Sequence, residues 1–163
     1  MAKRKTVLIT TLTLVILVPV FSGCCGKQAS IKDASKAYKS GDYKTAAEIF
    51  IPEARKGNAE ALVNLAFMYY CGLHVERDYL KAYEYYLQAA KKNNVTAQFS
   101  LGTMYENGEG VARNLSEAYF WYLLAENQND SDARKLRREA EQVLDSPTVK
   151  EIRRRVEEWK PAK

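Results

Sequence analysis

One histidine and three cysteines in 163 residues leave little for acid–base or metal chemistry to work with. The histidine, His74, follows Cys71 by three residues. A Cys-x-x-His pair is half of a zinc site, or a nucleophile with its base, and each needs further groups. No second cysteine stands at ligand spacing, and no third group in the same stretch is placed to orient the imidazole. Cys71 therefore reads as a small buried hydrophobe, and His74 as a loop residue that tolerates a left-handed backbone. The other two thiols, Cys24 and Cys25, are adjacent, so no paired disulfide framework exists. Excess charge is also missing once the first residues are set aside. Residues 1–23 carry three bases and no acid, and 25 Lys and Arg less those three leave 22 against 20 Asp and Glu, a net +2. That balance gives no electrostatic case for nucleic acid. Strand-type alternation is absent as well. Gly108-x-Gly110 has no strand before it and no Lys-Ser/Thr after it, so it fails the context of a phosphate-binding loop. Glu106 and Glu109 are close in sequence at one helix end, where a solvated cap is the simpler reading than a hydrolytic carboxylate pair.

What is present begins with an address. Lys3, Arg4 and Lys5 precede an apolar run, Val7 to Phe21, of 15 residues. A membrane-spanning helix needs roughly 20, so a charged start and a short apolar core read as an export signal. The run ends in Phe21-Ser22-Gly23-Cys24. Small residues just before a cysteine resemble a bacterial lipoprotein signal, with Phe21 where that family prefers Leu. The resemblance implies cleavage before Cys24, lipidation of its thiol (palmitate among the acyl chains), and a periplasm-facing place in the cell envelope. Cys25 is not the Asp that signals inner-membrane retention, so the resemblance points to the outer membrane.

The body is organised by a period. Ala61, Leu65, Tyr69, Gly72, Val75, Ala82 and Ala89 recur 36 residues later as Ala97, Leu101, Tyr105, Gly108, Val111, Ala118 and Ala125, without insertion. A fixed period in this range marks a repeat architecture whose units bury their apolar faces against one another. Ala61, Leu65 and Tyr69 share one helical face, Gly72 ends that helix, and Asp78 and Asn114 are placed to cap the second helix of each copy. Ala82, Tyr85, Tyr86, Ala89 and Ala90 form the stripe of that second helix; its alanines allow close helix approach, while Tyr69, Tyr85, Tyr105 and Trp121 fill wider gaps. A shorter hairpin precedes these, turning at Gly41-Asp42. A fourth unit starts at Ser131, where Arg137 and Glu141 replace the repeat's Leu and Tyr, as a terminal cap with a polar outer face requires. Ser146-Pro147 opens a last helix that Ile152, Val156 and Trp159 dock, with Arg153, Arg154 and Arg155 as its solvated side.

Ala97-x-x-x-Leu101-Gly102-x-x-Tyr105-x-x-Gly108-Glu109-Gly110-Val111, followed by Glu117-Ala118-x-x-Trp121-x-x-x-Ala125, resembles a Sel1-like repeat. Residues 61–93 resemble a second copy, departing at Ala66 and His74 where the family has Gly, and the first unit is similar to a tetratricopeptide repeat. The resemblance implies an all-α fold, an α/α solenoid of antiparallel helix hairpins in a right-handed superhelix with a C-terminal capping helix. The chain then divides into a signal peptide (1–23), a lipid anchor and tether (24–31), a tetratricopeptide-like hairpin (32–57), Sel1-like repeats (58–93 and 94–130) and a capping hairpin (131–163).

The resemblance implies an adaptor or scaffold and no cofactor. In such stacks the first helix of each pair lines the concave side. Carried onto this sequence, the groove holds Lys32, Lys36 and Lys39 in the first unit, Val63, Phe67 and Tyr70 in the second, and Phe99, Thr103 and Glu106 in the third. An apolar, aromatic strip with a basic end suits a peptide or helix with an acidic flank. The expected partners are a protein or peptide and, through the lipid, a membrane, with no nucleic acid and no small-molecule substrate. The competing reading is a periplasmic hydrolase or cell-wall-ligand-binding protein of the Sel1-like type, working through His74 or Glu106.

Overall fold

Every helix among the described residues starts on a short polar side chain that accepts a hydrogen bond from the exposed first turn. The computed structural model describes residues 29–162, and within them Ser30, Asp42, Asn58, Asp78, Asn94, Asn114, Asp130 and Asp145 cap eight helices in turn. Such caps satisfy backbone donors that the helix itself cannot, each worth about 1 kcal/mol. The helices are α1 (Ile31–Lys39), α2 (Tyr43–Arg55), α3 (Ala59–Cys71), α4 (Tyr79–Lys91), α5 (Val95–Asn107), α6 (Leu115–Glu126), α7 (Ser131–Val143) and α8 (Ser146–Glu157). No strand occurs among the described residues. Cys24 and the signal segment lie outside them.

The period becomes a pair of nearly identical turns. Gly72 ends α3 with a left-handed φ of 73°, and Gly108 ends α5 at 76°. The Asp78 N–H then donates to the Tyr69 carbonyl at 2.9 Å, and the Asn114 N–H to the Tyr105 carbonyl at 2.8 Å. His74 (φ 62°) and Gly110 (φ 70°) hold the same left-handed place in their loops, as the pairing of these positions requires. The joints between hairpins repeat too: Gly57, Asn93 and Asn129, spaced by the period, have φ of 80°, 65° and 68°.

From α1 to α7 each helix packs against the next in the chain, whereas α8 passes over its neighbour α7 and returns to α6, so the stack is a solenoid closed at its C-terminal end. Ala46, Ala61, Ala82, Ala89, Ala97 and Ala118 are fully buried and let the helix backbones approach. Leu62, Leu65, Met68, Leu101 and Met104 fill the space between them. In α5, Gly102 lies directly under the Tyr122 ring: a Cβ there would sit 2.4 Å from two ring carbons. Gln98, also in α5, is the one buried polar core residue among those described, and it is satisfied. Its amide donates to Asn93 Oδ1 at 3.1 Å and its oxygen accepts from Gln128 at 2.6 Å.

The end of the stack is held by charge as well as by apolar contact. Glu126 accepts from Arg134 and Arg137, Arg137 also pairs with Glu141, and Glu141 accepts from Arg153. Trp159 packs edge-on against Phe120 and Trp121, with centroids 5.7 and 5.5 Å away, and Ile152 is buried beneath α8. The tail then turns back, and the Ala162 N–H donates to the Lys91 carbonyl.

Three expectations need correction here. Ile31, assigned to the tether, is the first residue of α1, because Ser30 forms a capping box with Asp33 one residue earlier. Cys71 is exposed rather than buried, since it falls on the outer side of the last turn of α3. Arg153, Arg154 and Arg155 are not a bare solvated face. Arg153 pairs with Glu141, Arg154 with Glu151 and Glu158, and Arg155 with Glu117 while lying over the Phe120 ring.

Candidate protein-binding face

The first helices of the first three hairpins, α1, α3 and α5, supply a common face. On α3, Glu60, Val63, Phe67 and Tyr70 follow at three- and four-residue steps, so they share one side of the helix. On α5 the same register positions are Thr96, Phe99, Thr103 and Glu106. Two hollows open on this side.

The first hollow is a cavity of 140 Å³ lined by Phe67, Tyr70, Tyr86, Phe99, Ser100 and Thr103. Phe67 is 42% exposed, unusual for a large apolar side chain in this molecule. Its ring meets Tyr38 of α1 edge-on at 6.5 Å. Phe99 packs against Tyr122 at 6.0 Å. Two of the hydroxyls around the cavity already donate elsewhere. Thr103 Oγ1 donates to the Phe99 carbonyl at 3.3 Å, and Tyr70 donates its hydroxyl to Glu109 at 2.8 Å. Burial, then the bond to the Glu109 carboxylate, pushes the Tyr70 phenol up to about 12. Tyr86 is pushed up further, chiefly by burial. Both rings therefore stay neutral, and the cavity presents mainly aromatic carbon.

The second hollow is lined by Lys32, Ser35, Lys36, Lys39 and Glu60. Ser35 donates to Glu60 Oε1 at 2.6 Å, tying α1 to α3. The three lysines are exposed, and none of them takes part in the ion pairs found among the described residues.

Of the nine residues picked from sequence, Phe67, Tyr70, Phe99 and Thr103 come together around the cavity, and Lys32, Lys36 and Lys39 around the neighbouring hollow. Val63 is half-buried and packs on the core between the two. Glu106 lines neither hollow. It accepts the Tyr122 hydroxyl at 2.6 Å, and Glu109 accepts that of Tyr70, so this pair is not the solvated cap expected. Sequence reasoning missed Tyr86 and Ser100. Tyr86 belongs to α4, a second helix, and its place on the alanine stripe marked it as interior; that a second helix reaches the concave side depends on helix spacing, which no local pattern encodes.

Cys71 and His74 both lie exposed at the end of α3. Among the described residues no group of three or more His, Cys, Asp or Glu side chains is placed to hold a metal ion, and no helix is long and apolar enough to cross a membrane.

Comparison with known proteins gives the same architecture a name. The Sel1 repeat family matches residues 59–94 and 95–130. A Sel1 repeat protein from Oxalobacter formigenes, of known crystal structure, is 31% identical with a TM-score of 0.64, over 66% of this chain and 44% of that one. A protective antigen present in uropathogenic Escherichia coli strains, displaying an SLR fold, is 23% identical with a TM-score of 0.74, over 79% of this chain and 28% of that one. The second likeness is one of fold alone, and the chain spans less than half the length of either protein. A search of curated proteins gave no significant match. Residues 59–130 are thus two tandem repeats of the Sel1 family, set in a helical solenoid of that class.

Proposed function

We propose that this chain is a scaffold that holds a partner protein against the face formed by α1, α3 and α5, without catalysing a reaction, and that Cys24 anchors it by lipid in the cell envelope, facing the periplasm from the outer membrane. One observation carries the reading: an open cavity walled by four aromatic rings, with Phe67 left 42% exposed at its edge. Soluble proteins seldom leave such surface uncovered without a use, and aromatic-lined hollows are where binding energy concentrates. The Sel1 match supports an interaction role. The lipid follows from the Ser22-Gly23-Cys24 sequence: at about 0.8 kcal/mol per buried methylene, two or three acyl chains hold a domain stably at a bilayer.

Position-specific photocrosslinking in intact cells tests the face. A crosslinking residue at position 67 or 99 is expected to give the same discrete adduct, and one at the exposed Glu84 of α4 to give none. Adducts from position 84 alone would reject the face. Metabolic labelling with an alkyne palmitate tests the anchor, and the label is expected to vanish in Cys24→Ser.

A further inference from the structure

We infer that the segment bound on this face is a peptide that seats one aromatic ring in the cavity and, about three residues away, sets an acidic side chain on the lysines of α1. This rests on the reading above that α1, α3 and α5 are the working face.

The ring follows from size and lining. A closed apolar cavity of about 150 Å³ holds a benzene molecule, and the cavity here measures 140 Å³. Phe67, Tyr70, Tyr86 and Phe99 offer it faces and edges for the offset and edge-on contacts that aromatic pairs prefer. The hydroxyls of Tyr70 and Thr103 are already donated elsewhere. A charged side chain would therefore give up its water for aromatic carbon and a few hydroxyl oxygens, which is costly.

The acid follows from charge. Lys32, Lys36 and Lys39 gather three positive charges on one side of α1 against the one carboxylate of that hollow, Glu60, which accepts from Ser35, so positive charge is in excess. α3 runs through both hollows, with Glu60 in one and Phe67 in the other. Their separation sets the spacing. Glu60 and Phe67 are seven residues apart on α3, which at 1.5 Å per residue is about 10 Å. An extended peptide covers about 3.3 Å per residue, so about three residues bridge the gap.

The test is a random peptide display library panned on the full-length chain in detergent. It should enrich an acidic residue three positions from Phe, Tyr or Trp. A synthetic peptide of that pattern should weaken about tenfold or more when its ring becomes Ala, as a buried aromatic anchor does. The triple variant Lys32→Gln, Lys36→Gln, Lys39→Gln should weaken it about three- to tenfold, and the same peptide should lose affinity with rising salt. Phe67→Ala keeps an already exposed position exposed, and Ser100→Leu fills the cavity instead of emptying it. Both should lose the peptide, with circular dichroism reporting that the helices remain.

Enrichment of rings with no acid preference would overturn the proposal. So would enrichment of no motif at all while positions 67 and 99 still crosslink in cells, a result that leaves the working face standing. Loss of the crosslinks themselves would reject the face, a different failure. If the triple variant keeps the peptide but no longer sediments with phosphatidylglycerol vesicles, the lysines meet a bilayer and the acidic peptide is excluded.

Discussion

The repeats at 59–94 and 95–130 share caps, turns and spacing, yet they differ where each meets its neighbour. In the second repeat Gly102 brings the buried Tyr122 ring down onto α5, and the Tyr122 hydroxyl closes on Glu106. In the first, Ala66 stands at the register position of Gly102, Tyr70 at that of Glu106, and Tyr86 at that of Tyr122. Tyr86 has no carboxylate to reach at that place; with Ser100 of the next repeat it walls the cavity. The loops diverge likewise. Gly110 is pressed against the start of α4, where a Cβ would lie 2.2 Å from the Tyr79 carbonyl oxygen, whereas His74 carries a full side chain at the same backbone conformation. A common scaffold thus tolerates a methyl group in one copy and forbids it in the other, while both copies line the cavity between them.

Gly110→Ala should break this comparison most severely. A left-handed alanine costs about 1–2 kcal/mol. Overpacking against backbone adds about 1–3 kcal/mol, because a main-chain oxygen cannot swing aside. About 3 kcal/mol of stability should disappear in urea unfolding. Gly102→Ala comes next, at about 2 kcal/mol, since its obstacle is the Tyr122 ring and a buried ring yields only slightly. The reciprocal change Ala66→Gly should cost about 1.5 kcal/mol, part from helix propensity and part from the lost burial of its methyl group. If Gly102→Ala proved as mild as Ala66→Gly, the close seat of Tyr122 would not distinguish the copies.

His74→Gly runs the other way. The wild-type side chain is exposed at φ 62°, so relief of the left-handed strain is partly offset by the greater freedom glycine gains when unfolded. A gain of about 0.5 kcal/mol is expected, read as a higher urea midpoint with unchanged slope. A loss would mean that the imidazole makes a contact the fold depends on.

Much of this was legible in the sequence because it is local. A 36-residue register fixes which residues share a face, caps fix where helices begin, and left-handed positions announce themselves as Gly, as Asn or as the uncommon His74. Most of the candidate face was legible for the same reason: Phe67, Tyr70, Phe99 and Thr103 stand at fixed steps on first helices. What escaped was set by distance in space. Tyr86 and Ser100 meet across the joint between repeats, Tyr70 finds Glu109 from 39 residues away, and Arg155 finds Glu117 from 38. Composition alone reads such charges as solvated, and only the stacking of hairpins brings a partner to each.

The smallest expected effect concerns the caps, where the copies use different chemistry for one task. Asp78 opens α4 and Asn114 opens α6. The hydrogen bonds from Lys81, first its backbone N–H at 3.0 Å and then its side chain, hold the Asp78 carboxyl below its ordinary value of 3.8. A carboxyl whose pKa is depressed by folding stabilises the native state above its unfolded value, and that contribution is lost as pH falls through the folded value. Asp78→Asn should therefore leave stability near pH 7 almost unchanged, because Asn caps about as well as Asp. It should flatten the decline in stability below about pH 4, which unfolding titrations from pH 5 to 2 would read. Asn114→Asp should install a weaker acid sensitivity in the second copy, since the Ser116 and Glu117 N–H groups still donate to the cap but Glu117 stands where the first copy has Lys81. An acid limb that stays the same in both exchanges would show that the caps in the two copies are electrostatically silent.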